Sequence, residues 1–123
     1  MARPRVVVLA DDLIWQDRLA RALEAGGAET SRAKTAPELD RALACAAFAV
    51  IDLTSRAYDP LAAIERAIAA GARVLAVGQH DDLELRRRAL ARGADRVLAY
   101  RKLFEDGPAT LERWLRAPAA AAR

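Results

Sequence analysis

Cysteine is almost missing from this 123-residue chain, where Cys45 stands alone, and so is histidine, with only His80. One cysteine excludes an internal disulfide framework and any cysteine-based zinc site, and a Ser-His-Asp triad would depend wholly on His80. Cys45 lies in the Ala-rich helical stretch 43–48 and reads as a small buried hydrophobe. Lysine is equally scarce: Lys34 and Lys102 are the only two, so arginine carries nearly all of the formal +3 charge. A balance that small does not mark a nucleic-acid-binding protein. There is no 18-residue apolar run, and Met1–Arg5 leads into about five apolar residues, too few for a signal-peptide core or a membrane span. The protein is therefore expected to be cytoplasmic. Motifs are missing too. The first strand is not followed by G-x-G-x-x-G or by a Ser/Thr-rich phosphate loop, and neither a P-loop nor C-x-x-C occurs. These absences remove dinucleotide, nucleotide-triphosphate, flavin and thioredoxin-like chemistry.

What is present is one domain's worth of chain, 54% hydrophobic and 30% charged, with an aliphatic, alanine-heavy core and 5% aromatics. Short apolar runs alternate with helix-length periodic stretches. Strands are expected at 5–10, 28–33, 48–53, 73–77 and 96–100, the second polar enough for a sheet edge. Helices are expected at 13–25, closed by Gly26-Gly27; from the capping box Thr35–Glu38 to about Ala46; and from Asp59-Pro60 to Gly71. Two more are expected from Asp81, with Glu84 three residues on, to near Gly93, and over 108–116. Five strands alternating with five helices predict a flavodoxin-like doubly wound α/β fold, a five-stranded parallel sheet of order 2-1-3-4-5 with helices on both faces. Residues 1–116 form this domain, and 117–123 an Ala/Pro-rich tail expected to be flexible.

Ligands in such folds bind outside the carboxyl ends of the strands, between the first and third. Asp11 and Asp12 end the first strand, and Asp52 ends the third. With neighbouring strands about 4.8 Å apart, these three acids are expected to converge. Carboxylates so crowded repel unless a proton or a hard cation offsets them, which makes Asp11, Asp12 and Asp52 candidate Mg²⁺ ligands, with the Thr54 carbonyl completing the set. Aspartates at strand ends also serve as plain helix caps, as Asp12 could for the helix that follows. His80, two residues beyond Gly78, reads as a solvated loop histidine.

Over residues 1–116 the chain resembles the receiver domains of bacterial two-component response regulators. The resemblance implies that Asp11 and Asp12 hold Mg²⁺ and that Asp52 accepts a phosphoryl group from a histidine kinase. Asp59-Pro60 is similar to the family's Asp-Gly at that place, and Gly93-Ala94-Asp95 to its Gly-Ala-Asp. Three positions depart from the pattern. Gly78 stands where the family has Thr or Ser, Val97 where it has the aromatic switch residue, and Tyr100 where it has lysine. Lys102, in Lys102-Leu103-Phe104, is the candidate substitute cation, two residues along and on the same strand face; Arg101 would point to the other face. A phosphoryl group on Asp52 would otherwise lack its neutralising cation and its hydroxyl.

Arg86, Arg87, Arg88, Arg92 and Arg96 fall on the fourth helix and fifth strand, the family's usual output and dimerisation face. Asp81, Asp82, Glu84, Asp95 and Glu105 interleave with them, and aromatic stacking residues are absent there, so a protein partner is expected in preference to nucleic acid. The expectation is thus a stand-alone, atypical receiver that acts by protein–protein contact, with a histidine kinase, a downstream regulator or a second copy as partner. Phosphorylation is expected to be weak or absent, and the chain is not expected to be an enzyme. Two other classes remain open: a small Mg²⁺-dependent phosphotransfer or phosphatase-like enzyme, and a DNA-associated regulatory protein. Asp52-Leu53-Thr54 lacks the second acid of the aspartate-x-aspartate phosphatase pattern.

Overall fold

A computed structural model describes residues 3–117. Five parallel strands, β1 (Arg5–Leu9), β2 (Glu29–Ala33), β3 (Phe48–Asp52), β4 (Arg73–Gly78) and β5 (Arg96–Ala99), lie in the order β2-β1-β3-β4-β5. Between and after them run α1 (Leu13–Ala25), α2 (Ala36–Leu43), α3 (Pro60–Ala69), α4 (Leu83–Ala91) and α5 (Tyr100–Arg116). The expected doubly wound fold and strand order are those observed. Registers such as Leu9 beside Ile51, Asp52 beside Val77 and Gly78 beside Ala99 bring the strand ends level.

Because side chains alternate along a strand, each apolar run supplies both faces of the sheet. Val7, Leu9, Ile51 and Ala76 pack with Leu39, Ile64 and Ala89 of α2, α3 and α4. Val6, Val8, Val50 and Val77 pack with Leu19, Leu23, Leu111 and Trp114 of α1 and α5. β2 is the polar edge strand the sequence suggests, with only Ala33 buried.

Local signals explain most boundaries. The Thr35 hydroxyl accepts from the Glu38 amide at 3.3 Å, while Glu38 reaches back to accept from the Lys34 amide at 2.7 Å. Asp59 caps α3 by accepting from the Leu61 and Ala62 amides, with Pro60 in the first turn. After α1, Gly27 adopts φ 101°, which a side chain would strain.

Four expectations need correction. α2 stops at Leu43, so Cys45 lies in the turn beyond it and is exposed, not buried. α4 is capped by Asp82, which accepts from the Leu85 amide at 3.1 Å, and not by Asp81. The last strand ends at Ala99, one residue before Tyr100. And α5 begins at Tyr100, eight residues ahead of Pro108, with a break at Asp106 (φ −152°, ψ 32°). Residues 101–105 contain no Gly or Pro and favour helix; Pro108, lacking an N–H, marks only the restart after the break. Ala117 is the last described residue of the tail; 118–123 lie outside the described residues.

Among the described residues no helix is long and apolar enough to cross a membrane.

Candidate functional site

The carboxyl ends of β1 and β3 carry the three acids, but each is engaged separately. Asp12 is the N-cap of α1, its side chain accepting from the Trp15 amide at 3.0 Å. Asp11 is exposed and accepts from the Arg56 amide at 3.3 Å across the crevice. Asp52, 1% exposed, is the buried one. Its Oδ1 accepts from the Thr54 amide at 2.9 Å, the Thr54 hydroxyl at 2.8 Å and the Tyr100 hydroxyl. Thr54 Oγ1 and Tyr100 Oη are themselves 2.8 Å apart, so the three oxygens close a triangle. Both hydroxyls can give their protons to the one carboxylate oxygen, and ionised it can only accept.

Tyr100 is held from behind. Its ring meets the edge of Trp15 with centroids 4.2 Å apart, and Trp15 in turn lies 5.1 Å from Phe104, one helical turn beyond Tyr100. The Arg18 guanidinium sits 5.0 Å from the Phe104 ring centroid. Burial first, and then the bond to Asp52, push the Tyr100 hydroxyl well above its ordinary value of 10.0, although the Thr54 contact acts the other way. It stays protonated and donates. Tyr58 closes the floor: its hydroxyl reaches the Asp52 carbonyl at 2.6 Å and the Leu9 carbonyl at 3.0 Å, bridging β3 and β1. Burial, followed by the Asp52 charge, raises it in the same direction.

The remaining positions are equally specific. Gly78 is buried at the end of β4, and a Cβ built there would stand 3.3 Å from Leu53 Cδ1. A side chain at position 78 would therefore press on Leu53, which would have to yield by a few tenths of an ångström. Val97 is core, 6% exposed, on the α2–α4 face. Lys102, the candidate substitute cation, has its ammonium 4.0 Å from Asp106 on α5. Lys102 would share a face with Tyr100 on a strand, but the chain turns helical at Tyr100. Two residues along a helix rotate a side chain by roughly 200°, away from the pocket. His80 is exposed in the turn after β4. On α4, Arg86, Arg87 and Arg88 are exposed, with Arg87 paired to Glu84 at 2.7 Å; Arg92 pairs with Glu65 at 3.1 Å, and Arg96 is exposed.

Sequence reading overlooked three contributors. The buried Gln16 amide donates to the Ala33 carbonyl at 2.9 Å and the Ala10 carbonyl at 3.1 Å, tying the ends of β2 and β1 under the site. Tyr58 and the Thr54 hydroxyl carried no motif. Phe104 faces outward at 61% exposure, beside Leu13 at 59% and Ile14 at 73%.

No family model matches the chain, and no curated protein does. Solved structures do. The receiver domain of NtrX from Brucella abortus superposes with a TM-score of 0.81 at 21% identity, over 92% of this chain and 99% of that one. The signal receiver domain of the putative response regulator NarL from Mycobacterium tuberculosis gives 0.79 at 19%, over 96% and 100%. A response regulator protein from Burkholderia pseudomallei, solved with a phosphorylated aspartic acid, calcium ion and citrate, gives 0.72 at 21%, over 98% and 75%. The fold of this chain is that of the receiver domains.

That fold raises the question of a divalent cation, and the side chains answer it. Among the described residues no three His, Cys, Asp or Glu side chains are grouped so as to hold a metal ion. The expected convergence of Asp11, Asp12 and Asp52 into a metal-holding group is not formed: Asp12 Oδ1 caps α1, and Asp52 Oδ1 is taken up by Tyr100 and Thr54. As arranged, the residues do not fit Mg²⁺.

Proposed function

We propose that this chain, which has the receiver fold, is a signalling module that works through protein–protein contacts and does not use Asp52 as a phosphoswitch. The observation that carries the reading is the Tyr100 hydroxyl on the Asp52 carboxylate. A phosphoryl group adds about −1.5 to −2 charge and needs donors and cations around it. Here Gly78 brings no hydroxyl, Tyr100 stands at the lysine position, and Lys102 is turned to Asp106. A phosphoryl group on Oδ1 would also have to break the triangle of Asp52, Thr54 and Tyr100.

A protein partner is supported by the exposed apolar side chains Leu13, Ile14 and Phe104 beside the pocket, and Leu83 and Leu90 on α4. The arginines of α4 and β5 suit an acidic protein surface, and α4 with α5 offers a face for a second copy. Incubation with acetyl phosphate and Mg²⁺, followed by intact mass measurement, tests the reading. No phosphoryl mass is expected while a competent receiver is labelled in parallel; stoichiometric label lost in Asp52→Asn would overturn it.

A further inference from the structure

We infer that Tyr100 takes the place of a divalent cation at Asp52, so that the pocket is closed by a hydroxyl and excludes Mg²⁺. The carboxylate is 1% exposed and would be costly to bury without partners. In this chain neutral donors meet that need. The Thr54 amide, the Thr54 hydroxyl and the Tyr100 hydroxyl all point at Oδ1. A hard cation bound through that oxygen would compete with these donors and would call for further carboxylate ligands. Asp12 already gives its Oδ1 to the Trp15 amide at the start of α1, and Trp15 is the residue packed against Tyr100. A cation taking the Asp52 Oδ1 would therefore cost the two hydroxyl bonds made there. The tyrosine is a positioning residue: by holding Asp52 it also fixes the start of α5 against the β3–α3 loop.

This inference rests on the reading of Asp52 proposed above, but its test uses the metal alone, with no phosphodonor. Thermal unfolding of the full chain is followed in EDTA and across a MgCl₂ series, for the wild type, Tyr100→Ala, and Tyr100→Ala combined with Asp52→Asn. A ligand that binds only the folded state raises the melting temperature with concentration. The expected result is a wild-type midpoint that does not respond to Mg²⁺, a saturable rise in Tyr100→Ala, and loss of that rise when Asp52 is also replaced. If the alanine variant does not fold, Tyr100→Leu, which keeps apolar bulk against Trp15, takes its place. The Trp15 indole signal, followed by NMR in the wild type, gives a second reading and is expected to stay fixed as Mg²⁺ is added. A saturable wild-type response abolished by Asp52→Asn overturns the inference, and so does a folded Tyr100 variant as indifferent to Mg²⁺ as the wild type. Phosphoryl mass on Asp52 without a metal response would sink the functional reading and leave this one standing; a metal response without phosphoryl mass would do the reverse.

Discussion

Tyr100 and Tyr58 both keep their protons because the folded chain buries their hydroxyls beside the Asp52 charge. The consequence for stability has a definite sign. Each group's folded value lies above its ordinary 10.0, so its contribution is whole below about pH 10 and declines above it, where the unfolded chain ionises first. Chemical denaturation between pH 8 and 11 should show stability falling above pH 10. Tyr100→Phe should lessen the slope by up to about 1.4 kcal/mol per pH unit. An unchanged slope would mean that the hydroxyl is not held as described. Exposed acids behave oppositely. The guanidinium of Arg66 lowers Asp40, and Arg21 with Arg32 lowers Asp17; these ion pairs weaken as pH falls through the carboxylate range.

At the scale of elements, the end of the sheet is knitted by side chains that no motif announces. Gln16 on α1 joins the carbonyl of Ala10, just past β1, to the last carbonyl of β2, and Tyr58, in the loop before α3, joins the last carbonyls of β1 and β3. Gln16→Leu, similar in size, would leave the Ala10 carbonyl without its side-chain donor and should destabilise by about 1–3 kcal/mol in urea unfolding. A neutral result would show that water takes over. α5 also has two parts with different duties. Its first turns bring Tyr100 and Phe104 to the site. After the break at Asp106, Leu111 and Trp114 enter the core, and the Trp114 indole donates to Asp95 at 3.1 Å. Pro108 made the second part visible in the sequence. The first part was hidden because Arg96–Tyr100 reads as a continuous strand and the helix starts without a side-chain cap. That single boundary sets the direction of Lys102, which follows Tyr100 on a helix where the sequence suggested a strand.

For the whole molecule, the apolar alternation and the glycine, proline and aspartate punctuation placed five strands and five helices, and the commonest right-handed topology for that count supplied the observed sheet order. The acids were located correctly at the strand ends as well. Their company was not legible, because hydroxyl contacts 46 and 48 residues apart in sequence depend on loop paths that local patterns do not encode. The contact between Leu53 and the empty side of Gly78 bears on how such a pocket could change over time. Leu53 lies on the loop after β3 and Gly78 at the end of β4, so the two positions constrain each other's substitutions. Gly78→Ser would press on Leu53 Cδ1, which must yield by a few tenths of an ångström in a buried setting. In a double-mutant cycle, Gly78→Ser should be better tolerated once Leu53 is Ala, with a coupling of about 0.5–3 kcal/mol; strict additivity would refute the contact. With such a coupling, the order of the two substitutions matters: a serine at position 78 is accommodated more readily where residue 53 is already small.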